Sequence, residues 1–144
     1  MRSVIDGDGS LAVSRTIFEK IYADYNKRVY VSPDPLQFLY NYDDPRDREV
    51  VGLIASSLAY GRVAQILKSV DRVLACLGPA PSEYLRRVNR QELETKLAGF
   101  VHRFTDSSAM VGFLCCIGNV LNTYGSVENL FLSHFKGDTW EAMR

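Results

Sequence analysis

The sequence predicts an all-α fold, an irregular multi-helix domain, and three observations carry that expectation. Apolar residues recur at helical spacing along most of the chain. Helix punctuation separates these stretches, with Asp44-Pro45 at one start and Gly78-Pro79 and Gly125 at two ends. No run alternates with the period of two that a half-buried strand requires. At 144 residues, 47% hydrophobic and 24% charged, the chain suits one domain with a real core. No run approaches the roughly 18–20 apolar residues that span a bilayer, so no membrane association is expected.

Residues 1–13, rich in Gly, Asp and Ser, read as a loose tail ahead of a helical domain over 14–144. Ile17, Phe18, Ile21, Tyr22 and Tyr25 then follow helical spacing, with Ser14 as the N-cap. Val31-Ser32-Pro33-Asp34-Pro35 breaks that helix, because proline disfavours helix at the preceding residue. Leu36, Phe38, Leu39 and Tyr40 suggest one short helical turn or a buried loop. The clearest start follows, where Asp44 caps free amides and Pro45 suits the first helical position. That helix carries Val50, Val51, Leu53, Ile54 and Leu58, has little charge around its circumference, and reads as central and buried. Gly61 is expected to end it as the C′ residue.

The next helix presents Val63, Ile66, Leu67, Val70, Val73, Leu74 and Leu77 as one stripe. Arg62, Gln65, Lys68, Ser69 and Arg72 fall away from it. The two helices form an αα-hairpin with a tight Tyr60-Gly61-Arg62 corner. Ser82 opens a short helix, and Asn89 caps another through Leu93 and Leu97. A loop over Gly99–Thr105 leads into a strongly periodic helix with Met110, Phe113, Leu114, Ile117, Leu121 and Tyr124, ended by Gly125. Ser126 caps a helix with Leu130, Phe131, Leu132 and Phe135, closed near Gly137. Asp138 and Glu141 then make a capping-box-like start, which reads either as the opening of a further helix at which the sequence stops or as a short frayed terminal helix.

Formal net charge is zero, whereas specific DNA-binding domains are usually basic, which counts against a strong standalone nucleic-acid binder and leaves room for a local basic face or one supplied by further sequence. The odd set Cys76, Cys115 and Cys116 falls on apolar helical stretches, which fits free thiols in a reducing, cytoplasmic setting. No apolar stretch at the start suggests a secretory signal. No Cys/His spacing resembles a zinc site, and no metal or cofactor is expected.

Few constellations carry chemistry. Asp43, Asp44, Asp47 and Glu49 cluster where a helix start favours acid, so capping is the expected role. Ser56-Ser57 sit inside an apolar helix, where small residues permit close packing, and no nucleophile elbow surrounds them. Gly7-Asp8-Gly9-Ser10 lacks the Lys-Ser/Thr of a P-loop. His102-Arg103 is a polar pair set among Phe100, Val101 and Phe104, and it admits two readings. It supplies a proton-transfer group or phosphate contact lining a cleft, or both side chains bond carbonyls at neighbouring helix ends. Tyr60-Gly61-Arg62 joins an aromatic ring, a flexible backbone and a guanidinium, which suits nucleic-acid contact and equally suits a tight interhelical turn.

The run from Asp43 through Asp44-Pro45-Arg46-Asp47-Arg48-Glu49 to Tyr60-Gly61-Arg62, with the later Phe100-Val101-His102-Arg103-Phe104, resembles a bacterial family, domain of unknown function 2400. Members of that family are typically longer, which implies that this chain matches an N-terminal portion of an incomplete fold. The segment from Leu53 to Arg62 is in turn similar to the helix and corner by which helix-hairpin-helix DNA glycosylases enter a duplex. That resemblance implies a DNA-glycosylase-like fold and a role in DNA binding or repair, with Tyr60, Gly61 and Arg62 at the nucleic-acid face. Those enzymes place a glutamine where Gly61 stands. Their catalytic aspartate, hairpin lysine and iron–sulfur cysteines correspond to no residue here, so the chain alone is not expected to be catalytic. The alternative is a non-enzymatic helical scaffold or protein-interaction module, and apolar surface near Phe131 and Phe135 is expected to be left exposed for association.

Overall fold

A computed structural model describes residues 15–135 and 137. The chain divides into two units, Met1–Ser32 and Pro33–Arg144. The first holds helix α1 (Arg15–Tyr25) and a 3-10 turn (Arg28–Tyr30). Its apolar residues Ile17, Phe18, Ile21, Tyr22 and Tyr25 keep helical spacing but are all exposed. The expected cap Ser14 and the Asp138–Glu141 pattern lie outside the described residues.

The second unit is all-helical except for one small hairpin. A 3-10 helix (Pro35–Asn41) opens it, started by Asp34, whose carboxylate accepts from the Leu36 amide at 2.8 Å. Asp44 repeats the device one element later, accepting from the Arg46 amide at 2.8 Å to start α2 (Pro45–Ser57). Then come α3 (Val63–Leu77), α4 (Pro81–Arg87) and α5 (Arg90–Lys96). Strands β1 (Val101–His102) and β2 (Thr105–Asp106) pair antiparallel, and α6 (Ser107–Tyr124) and α7 (Val127–His134) follow.

The core gathers one face from each of several helices. Val50, Val51, Ile54 and Leu58 meet Val70, Val73 and Leu77 of α3 and Val111, Leu114 and Leu121 of α6. Each such side chain contributes roughly 1.5–3 kcal/mol when fully removed from water. Helix α6 packs on α4, α5 and α7, and α2 packs on the 3-10 helix, α4 and α7. Helices α6 and α4 approach closely at Gly118, where an added Cβ would lie 2.5 Å from the Leu85 carbonyl oxygen.

The acidic cluster caps helices, but not only its own. Asp47 is buried and accepts from the Ser82 amide at 2.8 Å, satisfying the first turn of α4. Glu49 accepts from the Val127 amide at 2.8 Å and the Glu128 amide at 3.4 Å, doing the same for α7. Helix α2 therefore ties down the starts of two helices far along the chain. Ser82 itself is not the cap of α4, because Ala80 holds that position and Pro81 begins the helix. Asn89, Asp106 and Ser126 cap α5, α6 and α7 with their own side chains.

Three further expectations are corrected. Helix α2 ends at Ser57 rather than running to Gly61, since Leu58 leaves helical geometry and the chain extends to carry Tyr60 onto the hairpin. Ser56 and Ser57 are exposed, so they do not admit a neighbouring helix, and the Ser56 hydroxyl bonds the Leu53 carbonyl. Residues 101–102 and 105–106 form paired strands where a loop was expected.

Candidate nucleic-acid interface

Residues 58–62 link α2 to α3, and 101–106 form the hairpin before α6. Neither segment has the length to bury itself, so each is positioned by the other. Phe100, 1% exposed, anchors the hairpin in the core. The Arg72 guanidinium lies over its ring at 5.6 Å and donates to the Ala98 and Gly99 carbonyls at 2.7 and 3.1 Å. Arg72, which by sequence falls away from the apolar stripe of α3, thus closes the end of α5.

His102 joins corner to hairpin. It is 1% exposed. Its Nε2 lies 3.1 Å from the Tyr60 carbonyl and its Nδ1 2.9 Å from Ser69 Oγ. A carbonyl only accepts, so Nε2 carries a proton; in the neutral ring Nδ1 then accepts from the Ser69 hydroxyl. The Tyr60 ring meets the imidazole edge-on at 4.8 Å between centroids. The Tyr60 hydroxyl donates to the His102 carbonyl at 3.1 Å and accepts from Thr105 Oγ1 at 2.7 Å. Both nitrogens of His102 and the hydroxyl of Tyr60 are therefore engaged within the protein.

The polar pair is divided where the strand ends, with His102 buried as the last residue of β1 and Arg103 exposed in the turn. Arg103 sits at φ +52°, the one non-glycine residue with positive φ among those described. Its side chain lies against Gly61, where an added Cβ would meet Arg103 Cδ at 2.9 Å. Gly61 has φ +111°, so the corner needs glycine for its backbone and for the guanidinium passing over it. The two sequence-derived candidates, Tyr60-Gly61-Arg62 and His102-Arg103, thus form one surface.

Outward from it stand Arg62, Arg103, Val101 and Phe104, the last 89% exposed. Arg103 lies over the Phe104 ring at 5.7 Å. No carboxylate among the described residues pairs with Arg62 or Arg103. Arg62 is also the N-cap residue of α3 and gives no side-chain cap, so no side chain offsets the partial positive charge of that helix start through the cap position. Asp106 stands nearby but is committed to the Ala109 amide at 2.8 Å.

Two residues of this arrangement escaped the sequence reading. Ser69 was placed away from the apolar stripe, yet it is buried. It lies three residues after Ile66 and four before Val73, which puts it on the inner face. Phe104 was read as an apolar flank. The available signal was that Arg-Phe occupies a two-residue turn, where Asn, Asp or Gly is the usual chemistry.

Elsewhere, His134 is exposed on α7, and Cys76, Cys115 and Cys116 are free thiols. Burial pushes the Cys76 thiol up against the opposing pull of Arg72 and Lys96. Among the described residues no group of His, Cys, Asp and Glu side chains is arranged to hold a metal ion, and no single helix is long and apolar enough to cross a membrane.

No curated protein and no solved structure matches the chain. A family model does match, over residues 34–144, well past half of the chain and beginning where the second unit begins. The chain belongs to the family described as Protein of unknown function (DUF2400).

Proposed function

We propose that this chain binds nucleic acid through the surface formed by Arg62, Arg103 and Phe104. The observation that carries the reading is the packing of Arg103 across Gly61, which brings a guanidinium that no described carboxylate pairs beside an exposed aromatic ring, one residue from the exposed Arg62. The guanidiniums and the start of α3 suit phosphate oxygens, and the ring of Phe104 suits the face of an unstacked base. His102 and Tyr60 are positioning residues, since their polar atoms hold the corner against the hairpin. The wider form of the proposal is a DNA-repair-related, glycosylase-like role in which the surface favours duplexes with a missing or mispaired base. There the unstacking cost is already reduced.

Fluorescence anisotropy with single-stranded, intact duplex and abasic-site duplex DNA tests this. Expected are dissociation constants of roughly 1–100 µM at moderate salt, in the range of sequence-independent contacts. Phe104→Ala should remove the preference for the abasic duplex, and Arg103→Ala should weaken all three. Absence of binding to all three at low salt would sink the proposal. The exposure of Phe104 and Val101 on a hairpin also favours a second reading, a protein-interaction module. That reading requires a partner whose binding is lost in Phe104→Ala and is indifferent to salt.

A further inference from the structure

A cleft of about 320 Å³ lies between the 3-10 helix and the C-terminal half of α3, sharing no lining residue with the surface just described. Phe38, Leu74 and Pro79 give it apolar walls, while Asn41, Tyr42 and Asp71 supply its polar groups. The Asn41 amide, the Tyr42 hydroxyl and the Asp71 carboxylate make no hydrogen bond or ion pair with any described residue. Asp71 is the only charged side chain in the lining. Two guanidiniums close in sequence to the lining are committed elsewhere: Arg48 donates to the Tyr42 carbonyl at 2.6 Å, and Arg72 to the end of α5.

We propose that this cleft binds a small organic amine, with its ammonium group at Asp71 and its carbon chain against Phe38 and Tyr42. An aromatic wall beside a lone carboxylate attracts an organic cation through the ring faces and the charge together. The local potential is negative: the Tyr42 phenol is pushed up from its ordinary value by burial and then by the carboxylates of Asp47 and Asp71. An anion meets that potential unfavourably, and a neutral ligand leaves Asp71 unpaired. The volume stands at the lower end for small-molecule sites, which limits the carbon chain to a few atoms.

The test uses the full chain, labelled with nitrogen-15 and titrated with n-pentylammonium, n-pentanol and n-pentanoate. Expected is a saturable shift of the Asn41, Tyr42, Asp71 and Gly78 amide resonances with the ammonium alone, at a dissociation constant of about 1 mM or lower. Asp71→Asn, on an exposed helix position, should weaken it roughly tenfold. Ala75→Phe, which fills the cleft from its α3 side, should abolish it with an unchanged circular dichroism spectrum. An equal response to n-pentanol, unaltered affinity in Asp71→Asn, or no response at these amides would overturn the proposal.

Discussion

Replacing Gly118 with alanine tests how α6 is seated against α4. In an open helix interior the substitution stabilises by about 0.8–1 kcal/mol, because alanine loses less backbone freedom on folding. At Gly118 the new Cβ would stand 2.5 Å from the Leu85 carbonyl oxygen and 3.4 Å from its carbon. An ordinary carbon–oxygen contact is about 3.3–3.6 Å, so one helix must retreat by roughly 0.8–1.1 Å. The obstacle is backbone, which cannot rotate away as a side chain does. Overpacking of this kind costs about 1–3 kcal/mol, which outweighs the propensity gain. Gly112 supplies the control: it lies on the same helix, and an added Cβ would meet nothing within 4 Å. Urea unfolding followed by circular dichroism should therefore show Gly112→Ala above the parent in stability and Gly118→Ala below it, about 1–3 kcal/mol apart at equal m. A Gly118→Ala variant as stable as Gly112→Ala would refute the packing argument.

Ser69→Ala leaves His102 Nδ1 buried without its donor and should cost about 1–3 kcal/mol by the same unfolding assay, although Ser69 lies on a helix where alanine is otherwise favoured. Asp47→Ala strips the buried start of α4 of its acceptor and should cost about 1–3 kcal/mol, with Asp47→Asn recovering much of the loss because its amide oxygen still accepts. The raised phenol of Tyr42 sets a sign for alkaline stability: its contribution is full below the ordinary value of 10.0 and is lost as pH rises through the elevated folded value. Denaturation midpoints should fall above pH 10.0, and Tyr42→Phe should make that fall shallower; an identical alkaline limb in the variant counts against the assignment.

Where short-range chemistry governs, the sequence predicts the structure closely. Asp44-Pro45, Asn89 and Ser126 cap the helices they were expected to cap, because each bond spans three residues or fewer. Gly78 and Gly125 end α3 and α6 with positive φ for the same reason. The departures lie where a tertiary partner decides. Asp47 and Glu49 carry the right chemistry, but their amides come from 35 and 78 residues away. The end of α2 is set by Tyr60 reaching His102, at a separation of 42 residues. The short strands pair over only four residues, too few for a periodic signal to rise above the helical pattern. The apolar stripe on α1 is helical as expected, while of the two residues named for exposed apolar surface Phe135 is exposed and Phe131 half-buried.

For the site, residue types were legible and their arrangement was not. Tyr60, Gly61, Arg62, His102 and Arg103 were each singled out, yet nothing local indicates that Arg103 crosses Gly61 or that His102 turns inward. The hairpin turn divides the pair, and it leaves Phe104, passed over by periodicity, as an 89% exposed ring beside Arg103.

The central claim is that Arg62 and Arg103 contact phosphates together. It is tested most directly by the slope of the logarithm of the binding constant against the logarithm of salt concentration, for the parent chain and for Arg62→Ala/Arg103→Ala. Each phosphate contact contributes about 0.9 to that slope on duplex DNA, so the double variant should lose nearly two. A parent chain that binds with the same slope as the double variant would contradict the account.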